Sequence, residues 1–247
     1  MKQLLEREFE VHKKLNFKTI DDVVSFLKDN GIELQELDYL GKGHFGQAFY
    51  EPKSNQVIKI TSDEQEIVFY LSHQDLNLKY LVEVKRTFAF MNNPVKGIIV
   101  LEPLEPLDKG LFSDLISAQD LFNEISVHYQ ESSPQLINRD INWLREIFSG
   151  DSNNYQLFLE SVSEIRKELG DRIIVSMLLA SEYTNEAVAK NDIKLFINIF
   201  INYRKFFKDF VNMLEEFRQQ QVFSQDIKPD HIMYSKKDRI YKLIDPR

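Results

Sequence analysis

Residues 41–60 read Gly41-Lys42-Gly43-His44-Phe45-Gly46-Gln47-Ala48-Phe49-Tyr50-Glu51-Pro52-Lys53-Ser54-Asn55-Gln56-Val57-Ile58-Lys59-Ile60. Glycines at this spacing let a backbone pass close to phosphates and offer its N–H groups to them. Two classes of nucleotide site share that spacing. A dinucleotide-binding fold needs a helix directly after the glycines. Here an apolar pair, a turn at residues 52–55 and a second apolar run follow, which is a hairpin. A Gly-rich flap over nucleotide phosphates therefore fits better, with Gly41, Gly43, His44, Phe45 and Gly46 at its tip. The alternative is an ordinary Gly-containing hairpin turn.

Lys59 stands between Ile58 and Ile60 on the returning strand, so it points away from the face that they use. It follows Gly46 by thirteen positions. A hairpin brings it under the glycine loop, where its ammonium would hold α- and β-phosphates as a point charge. Such a lysine needs an acid to orient it. Glu66, on the helix expected from Ser62 to about His73, is the first choice and Glu64 the second. The simpler reading of both acids is an exposed first helical turn, where carboxylates are common.

Working outward, short apolar runs at 36–39, 47–50, 57–60, 80–91 and 97–101 predict an antiparallel meander. After Pro106 the pattern turns helical, with helices expected at 113–129, 138–149, 154–169, 171–189 and 192–220. In the last, Ile193, Phe196, Ile197, Phe200, Tyr203, Phe207, Phe210, Val211 and Leu214 recur at helical spacing and predict a buried helix. Before the meander, residues 3–15 and 20–30 read as helices. Thr19 and Asp22 make a capping box and Gly31 a stop. Short strand signals return at 232–234 and 240–244. The class is α+β, divided into an N-terminal helical extension (1–31), a strand-rich lobe (32–105) and a helical lobe (106–247).

Composition bounds the function. The 247 residues carry 43% hydrophobic and 28% charged side chains, enough for a sizeable core on a folded chain. A net charge of −8 argues against a nucleic-acid partner, which needs a surplus of Lys and Arg on one face. The sequence has no cysteine, which removes disulfides, zinc-thiolate sites and a Cys nucleophile. The five histidines show no ligand spacing. The N-terminus carries acids among its apolar residues and does not read as a secretory signal. The most apolar run, Leu195 to Ile201, is far shorter than the roughly 20 residues of a bilayer span. A cytoplasmic protein with no membrane partner is expected.

A second constellation lies near the C-terminus: Phe223-Ser224-Gln225-Asp226-Ile227-Lys228-Pro229-Asp230-His231-Ile232-Met233-Tyr234, then Lys242-Leu243-Ile244-Asp245-Pro246. Asp226 and Asp245 flank a short hairpin. One carboxylate would take or orient a hydroxyl proton while the other holds a divalent metal on the phosphates. Lys228 would balance charge on a phosphoryl group in transfer. The plain alternative is a polar surface turn.

Taken in order, these stretches resemble the protein-kinase superfamily, over residues 37–106 and 192–247. The glycine loop is similar to its Gly-rich loop, and Val57-Ile58-Lys59 to the strand bearing its phosphate-binding Lys. Asp226-Ile227-Lys228-Pro229-Asp230-His231 resembles its catalytic loop, and Ile244-Asp245-Pro246 the place of its metal-binding Asp. The resemblance implies a bilobal fold with an antiparallel-sheet N-lobe and a mainly helical C-lobe. It implies Asp226 as catalytic base, Asp245 as metal ligand, Lys59 with Glu66 as the activating ion pair, and adenine bound to backbone near Glu102 to Leu104. ATP with Mg²⁺, or Mn²⁺, is the implied cofactor, and a protein or small-molecule hydroxyl the acceptor. Ser224-Gln225 replace the family's His-Arg, and His231 replaces its Asn ligand. Imidazole suits magnesium less well than oxygen, which is why manganese is named. With Asp245 two residues from the end of the sequence, a minimal bacterial- or phage-type kinase without an activation segment is expected. Protein Ser/Thr is the acceptor first expected. A small-molecule kinase and a nucleotide-binding pseudokinase are the alternatives.

Overall fold

Val23, Phe26 and Leu27 recur at helical spacing on a segment that ends before a glycine, and they fold as α1 (Ile20–Asp29). Gly31 takes φ +76°, a conformation that costs glycine nothing. The amide of Ile32 then donates to the Leu27 carbonyl at 2.9 Å, closing the helix. The computed structural model describes residues 20–32, 38–73, 76–90, 96–131, 152–182, 186–222 and 227–245. The helices expected at 3–15 and 138–149, the Thr19 end of the capping box, and Asp226 lie outside these residues.

Five strands follow α1: β1 (Asp38–Lys42), β2 (Gly46–Glu51), β3 (Gln56–Thr61), β4 (Val84–Ala89) and β5 (Gly97–Leu101). Between β3 and β4 runs α2 (Glu64–His73). The strands form one antiparallel sheet in the order β1-β2-β3-β5-β4. Strand alternation sorts its two faces. Ile58, Phe88, Ile98 and Val100 join Val23, Phe26, Leu27, Ile32 and Phe90 in one apolar cluster, so α1 covers that face. Phe26 meets Phe88 and Phe90 edge-on at 5.2 and 5.4 Å. On the other face Ile67 of α2 rests on Gly97. A Cβ at Gly97 would lie 2.1 Å from the Ile67 side chain, so only glycine admits the helix this close.

These residues make the first of two compact units, which runs through Asn77 and resumes over Val82–Leu104. Because α1 shares the sheet's core, its residues are part of this unit rather than an appendage. The second unit takes Leu78–Leu81 and the chain from Glu105 on. The run expected as a strand over 80–91 is accordingly shorter. Tyr80 and Leu81 pair instead with Leu243 of the second unit, through the Leu243 amide at 2.9 Å and a parallel bridge.

The second unit is mainly helical: α3 (Lys109–Ser117), α4 (Gln119–Glu131), α5 (Ser152–Leu169), α6 (Asp171–Glu182), α7 (Glu186–Asn202) and α8 (Arg204–Gln219). A hairpin of β6 (Ile232–Ser235) and β7 (Ile240–Leu243) completes it. Phe122, Phe196, Phe200, Phe206, Phe207 and Phe210 are all buried together; the Phe196 and Phe207 rings stand 4.7 Å apart and edge-on. The gap expected between 171–189 and 192–220 lies elsewhere, since α6 ends at Glu182 and α7 runs from Glu186 to Asn202, and two expected helices are broken. The one at 113–129 is α3 and α4, parted at Ala118, and the one at 192–220 is α7 and α8, parted at Tyr203. No Gly or Pro marks the second break. The Tyr203 hydroxyl bonds Asp114 of α3 and sits over Gly110, while its φ of −129° leaves the helical well. A tertiary contact thus overrides helical propensity.

Between α4 and α8, Glu215 accepts from Arg218 Nε at 3.0 Å, from Gln219 at 2.7 Å and from the Tyr129 hydroxyl at 3.2 Å. The Arg218 guanidinium holds its carboxyl down at about 2 against the opposing effect of burial. Burial first, and then Glu215, push the Tyr129 phenol above its usual range. A depressed carboxyl contributes stability above its unfolded titration range and loses it as pH falls through the folded value. The denaturation midpoint is therefore expected to drop steeply between about pH 4 and 2, and Glu215→Gln to flatten that limb. Urea titrations across this range check both.

Candidate active site

The helix bearing Glu66 starts at Asp63, whose Oδ1 accepts the amides of Gln65 at 2.9 Å and Glu66 at 3.3 Å. This is N-cap chemistry: two otherwise unsatisfied amides find one carboxylate, which also suits the positive helix end. The cap begins α2 two residues later than the expected start at Ser62. It points Glu66, only 1% exposed, at the sheet. Register pairing sets Lys59 beside Ile99, on the α2 face with Gly97 and Thr61. There Lys59 Nζ lies 2.6 Å from Glu66 Oε1. A carboxylate this buried is tolerable only with its charge matched, and the Lys59 side chain, 21% exposed, supplies the match. Glu64 is exposed and is not the partner.

The glycine loop links β1 and β2. Its first residues lie deeper in regular structure than expected, since β1 runs through Gly41 to Lys42. The Gly43 amide donates to the Gly46 carbonyl at 2.9 Å. Both the amide and the hydroxyl of Ser62 donate to the Phe45 carbonyl, at 2.7 and 2.8 Å. The glycines divide by role. A Cβ on Gly46 would stand 2.3 Å from the Ile60 carbonyl oxygen, so the tight β2–β3 pairing demands glycine. A Cβ on Gly41 or Gly43 would meet nothing within 4 Å, so packing within the chain does not explain them. His44 and Phe45 stack edge-on at 4.5 Å, and Phe45 is 39% exposed.

At the end of β5 the Glu102 amide donates to the Glu83 carbonyl at 3.0 Å, and the Glu102 side chain accepts the Glu83 amide at 2.8 Å. That commits the Glu102 N–H. Hydrogen bonds to an adenine would fall to the other backbone groups between Glu102 and Leu104, which is half-buried.

In the second unit a 3-10 turn, Pro229–His231, opens the β6–β7 hairpin, with Lys228 at its N-cap and the His231 amide donating to the Lys228 carbonyl at 3.0 Å. Ile232 pairs with Leu243, and the Ile244 amide donates to the His231 carbonyl at 2.8 Å. The pairing brings His231 Nε2 to 3.8 Å from Asp245 Oδ2, both side chains largely buried. Buried Asp209 anchors the hairpin, and half-buried Glu216 anchors the segment at 79–80 that pairs with its end. Asp209 of α8 takes Lys205 at 2.8 Å and the Tyr241 amide at 3.2 Å. Glu216 takes the amides of Lys79 and Tyr80 at 2.9 Å each. One carboxylate and one imidazole at this separation fit a divalent cation that keeps several waters. Among the described residues no group of three or more metal-binding side chains occurs.

Sequence reasoning missed Thr61, Ser62, Asp63 and Gly97. Asp63 was findable, because Asp-x-x-Glu before an apolar run is a helix-start signature. Gly97 was not, since its need arises from a helix crossing a strand.

No protein-family model matches the sequence, and no curated protein matches it. Among solved structures the chain is similar to a GDP complex of an aminoglycoside 2′-phosphotransferase, at 9% identity and TM-score 0.34, over 83% of this chain and 97% of that one. It is similar to the ADP-bound aminoglycoside phosphotransferase APH(2″)-Ib at 14% identity and TM-score 0.28, over 82% and 100% of the two chains. A streptomycin–ATP complex of APH(2″)-IIa is similar at 14% identity and TM-score 0.27, over 68% and 62%. These likenesses are distant.

Proposed function

We propose that the chain is an ATP-dependent phosphotransferase acting on a hydroxyl. The observation that carries this reading is the Lys59–Glu66 pair: a glutamate 1% exposed, on the first turn of a helix, spent on orienting one lysine of the strand that follows a glycine loop. An ion pair of this kind is a costly way to gain stability. It is a good way to hold an ammonium still for a phosphate.

Lys59 binds the α- and β-phosphates, and the tip of the glycine loop between Gly43 and Gly46 covers them. Asp245, with His231, would hold a divalent cation, which when bound supplies positive charge against the phosphates. Asp226 takes the acceptor's proton as the acceptor oxygen bonds to the γ-phosphorus. The bond from that phosphorus to the β–γ bridging oxygen breaks, and ADP leaves. Lys228 offsets charge on the phosphoryl group in flight.

The acceptor is a protein Ser/Thr side chain or a small-molecule hydroxyl, and one experiment covers both. The chain is incubated with γ-labelled ATP and Mg²⁺ or Mn²⁺, with a protein mixture in one arm and hydroxylated small molecules, aminosugars among them, in the other. Label is expected in one arm with the wild type and in neither with Asp226→Ala. Label transfer undiminished in Asp226→Ala sinks the reading, and so does a wild type that transfers none. ATP binding without transfer would make the chain a nucleotide-binding module.

A further inference from the structure

In the usual capping box the N-cap side chain bonds the amide three residues on, and the glutamate there bonds back to the N-cap amide. Here Asp63 is the N-cap and Glu66 the third helical residue, so Glu66 is placed to make that return bond. The Asp63 amide donates to Thr61 Oγ1 at 3.0 Å, and the Glu66 carboxylate accepts from Lys59 Nζ at 2.6 Å. Thr61 ends β3, is 1% exposed, and is held by the sheet and by the Lys96 amide, which donates to its carbonyl at 2.8 Å.

We propose that Thr61 is a positioning residue for phosphoryl transfer: its hydroxyl occupies the N-cap amide and so releases Glu66 to orient Lys59. The inference rests on the phosphotransferase reading for its consequence, but not for its geometry. Two acceptors compete for one buried donor, and a buried amide does not go unbonded. With the hydroxyl gone, the nearest replacement is the Glu66 carboxylate, which the helix already holds at capping-box spacing. Taking it would close the box and draw the carboxylate off Lys59. The cap itself would survive, so α2 need not unfold when the pair is lost.

Thr61→Val removes the hydroxyl at nearly constant shape, and Thr61→Ser retains it. Thr61→Ala serves if the valine variant does not fold. The ammonium ¹⁵N resonance of Lys59 is observable when its protons are held in hydrogen bonds. It is expected in the wild type and Thr61→Ser, and lost in Thr61→Val as in Glu66→Gln. In parallel, kcat/KM for ATP is expected to fall roughly tenfold in Thr61→Val and to return in Thr61→Ser, as for other small misplacements of a catalytic group. A Thr61→Val chain that keeps the Lys59 resonance overturns the proposal. A lost resonance with unchanged kcat/KM overturns its catalytic consequence. A resonance that responds as expected in a chain whose wild type neither binds nor turns over ATP supports the competition for the amide and sinks the phosphotransferase reading instead.

Discussion

Lys59→Met is expected to lower kcat/KM for ATP by about 10² to 10³-fold, the usual cost of deleting one preorganised charge that faces developing negative charge. The reason lies in the surroundings. The ammonium is held at 2.6 Å from a carboxylate inside a sheet–helix interface, so it needs no reorganisation when a phosphate arrives. Methionine retains the apolar stem and removes the charge alone. The same substitution carries a second expected result. It takes the Lys59 ammonium away from the buried Glu66 carboxylate, which costs about 3 kcal/mol of folding stability. Lys59→Met/Glu66→Gln is then expected to recover much of that stability, because the buried charge is removed with its counter-charge, and none of the activity. Urea denaturation and ATP turnover on the same three samples check both halves. A stable but inactive double variant separates the catalytic use of the pair from its place in the fold.

Asp245→Asn is expected to abolish turnover at ordinary Mg²⁺ concentrations, a loss of about 10² or more. The hairpin register holds this carboxylate beside His231 and away from bulk water. Asparagine keeps the shape but offers a cation no charge. Mn²⁺ titrations of the nucleotide-loaded chain, read by calorimetry, are expected to show the weakened cation site independently of turnover. His231→Asn works in the opposite sense. It replaces an imidazole with an oxygen donor that suits magnesium better, so Mg²⁺-supported turnover relative to Mn²⁺ is expected to rise. An Asp245→Asn chain with intact turnover would falsify the assignment of this residue to the cation.

The Lys59–Glu66 pair could be read before any coordinates because both ends obey local rules: a charged residue alternating with apolar ones on a strand, and an acid in a first helical turn. The hairpin after the glycines was equally plain, because a turn at 52–55 cannot begin a helix. What escaped the sequence is tertiary. The Tyr203 hydroxyl on Asp114 breaks a helix whose apolar repeat runs straight through the break. The division of the glycines is likewise invisible in one dimension. Gly46 is required by the Ile60 carbonyl opposite, whereas Gly41 and Gly43 face open space. The Asp63 amide has two eligible acceptors at the right spacing, and only coordinates choose between them.

Four residues upstream of β4 belong to the helical unit: Glu216 takes the amides of Lys79 and Tyr80, and the Tyr80 carbonyl takes the amide of Leu243. A gene fragment opened at codon 105 would thus encode a polypeptide missing one of its own edges, with a carboxylate left facing solvent where two amides had been. Adding residues 78–81 back as a separate peptide would restore them only against the entropy of association. Anyone dissecting this chain into pieces should cut by contact rather than by position.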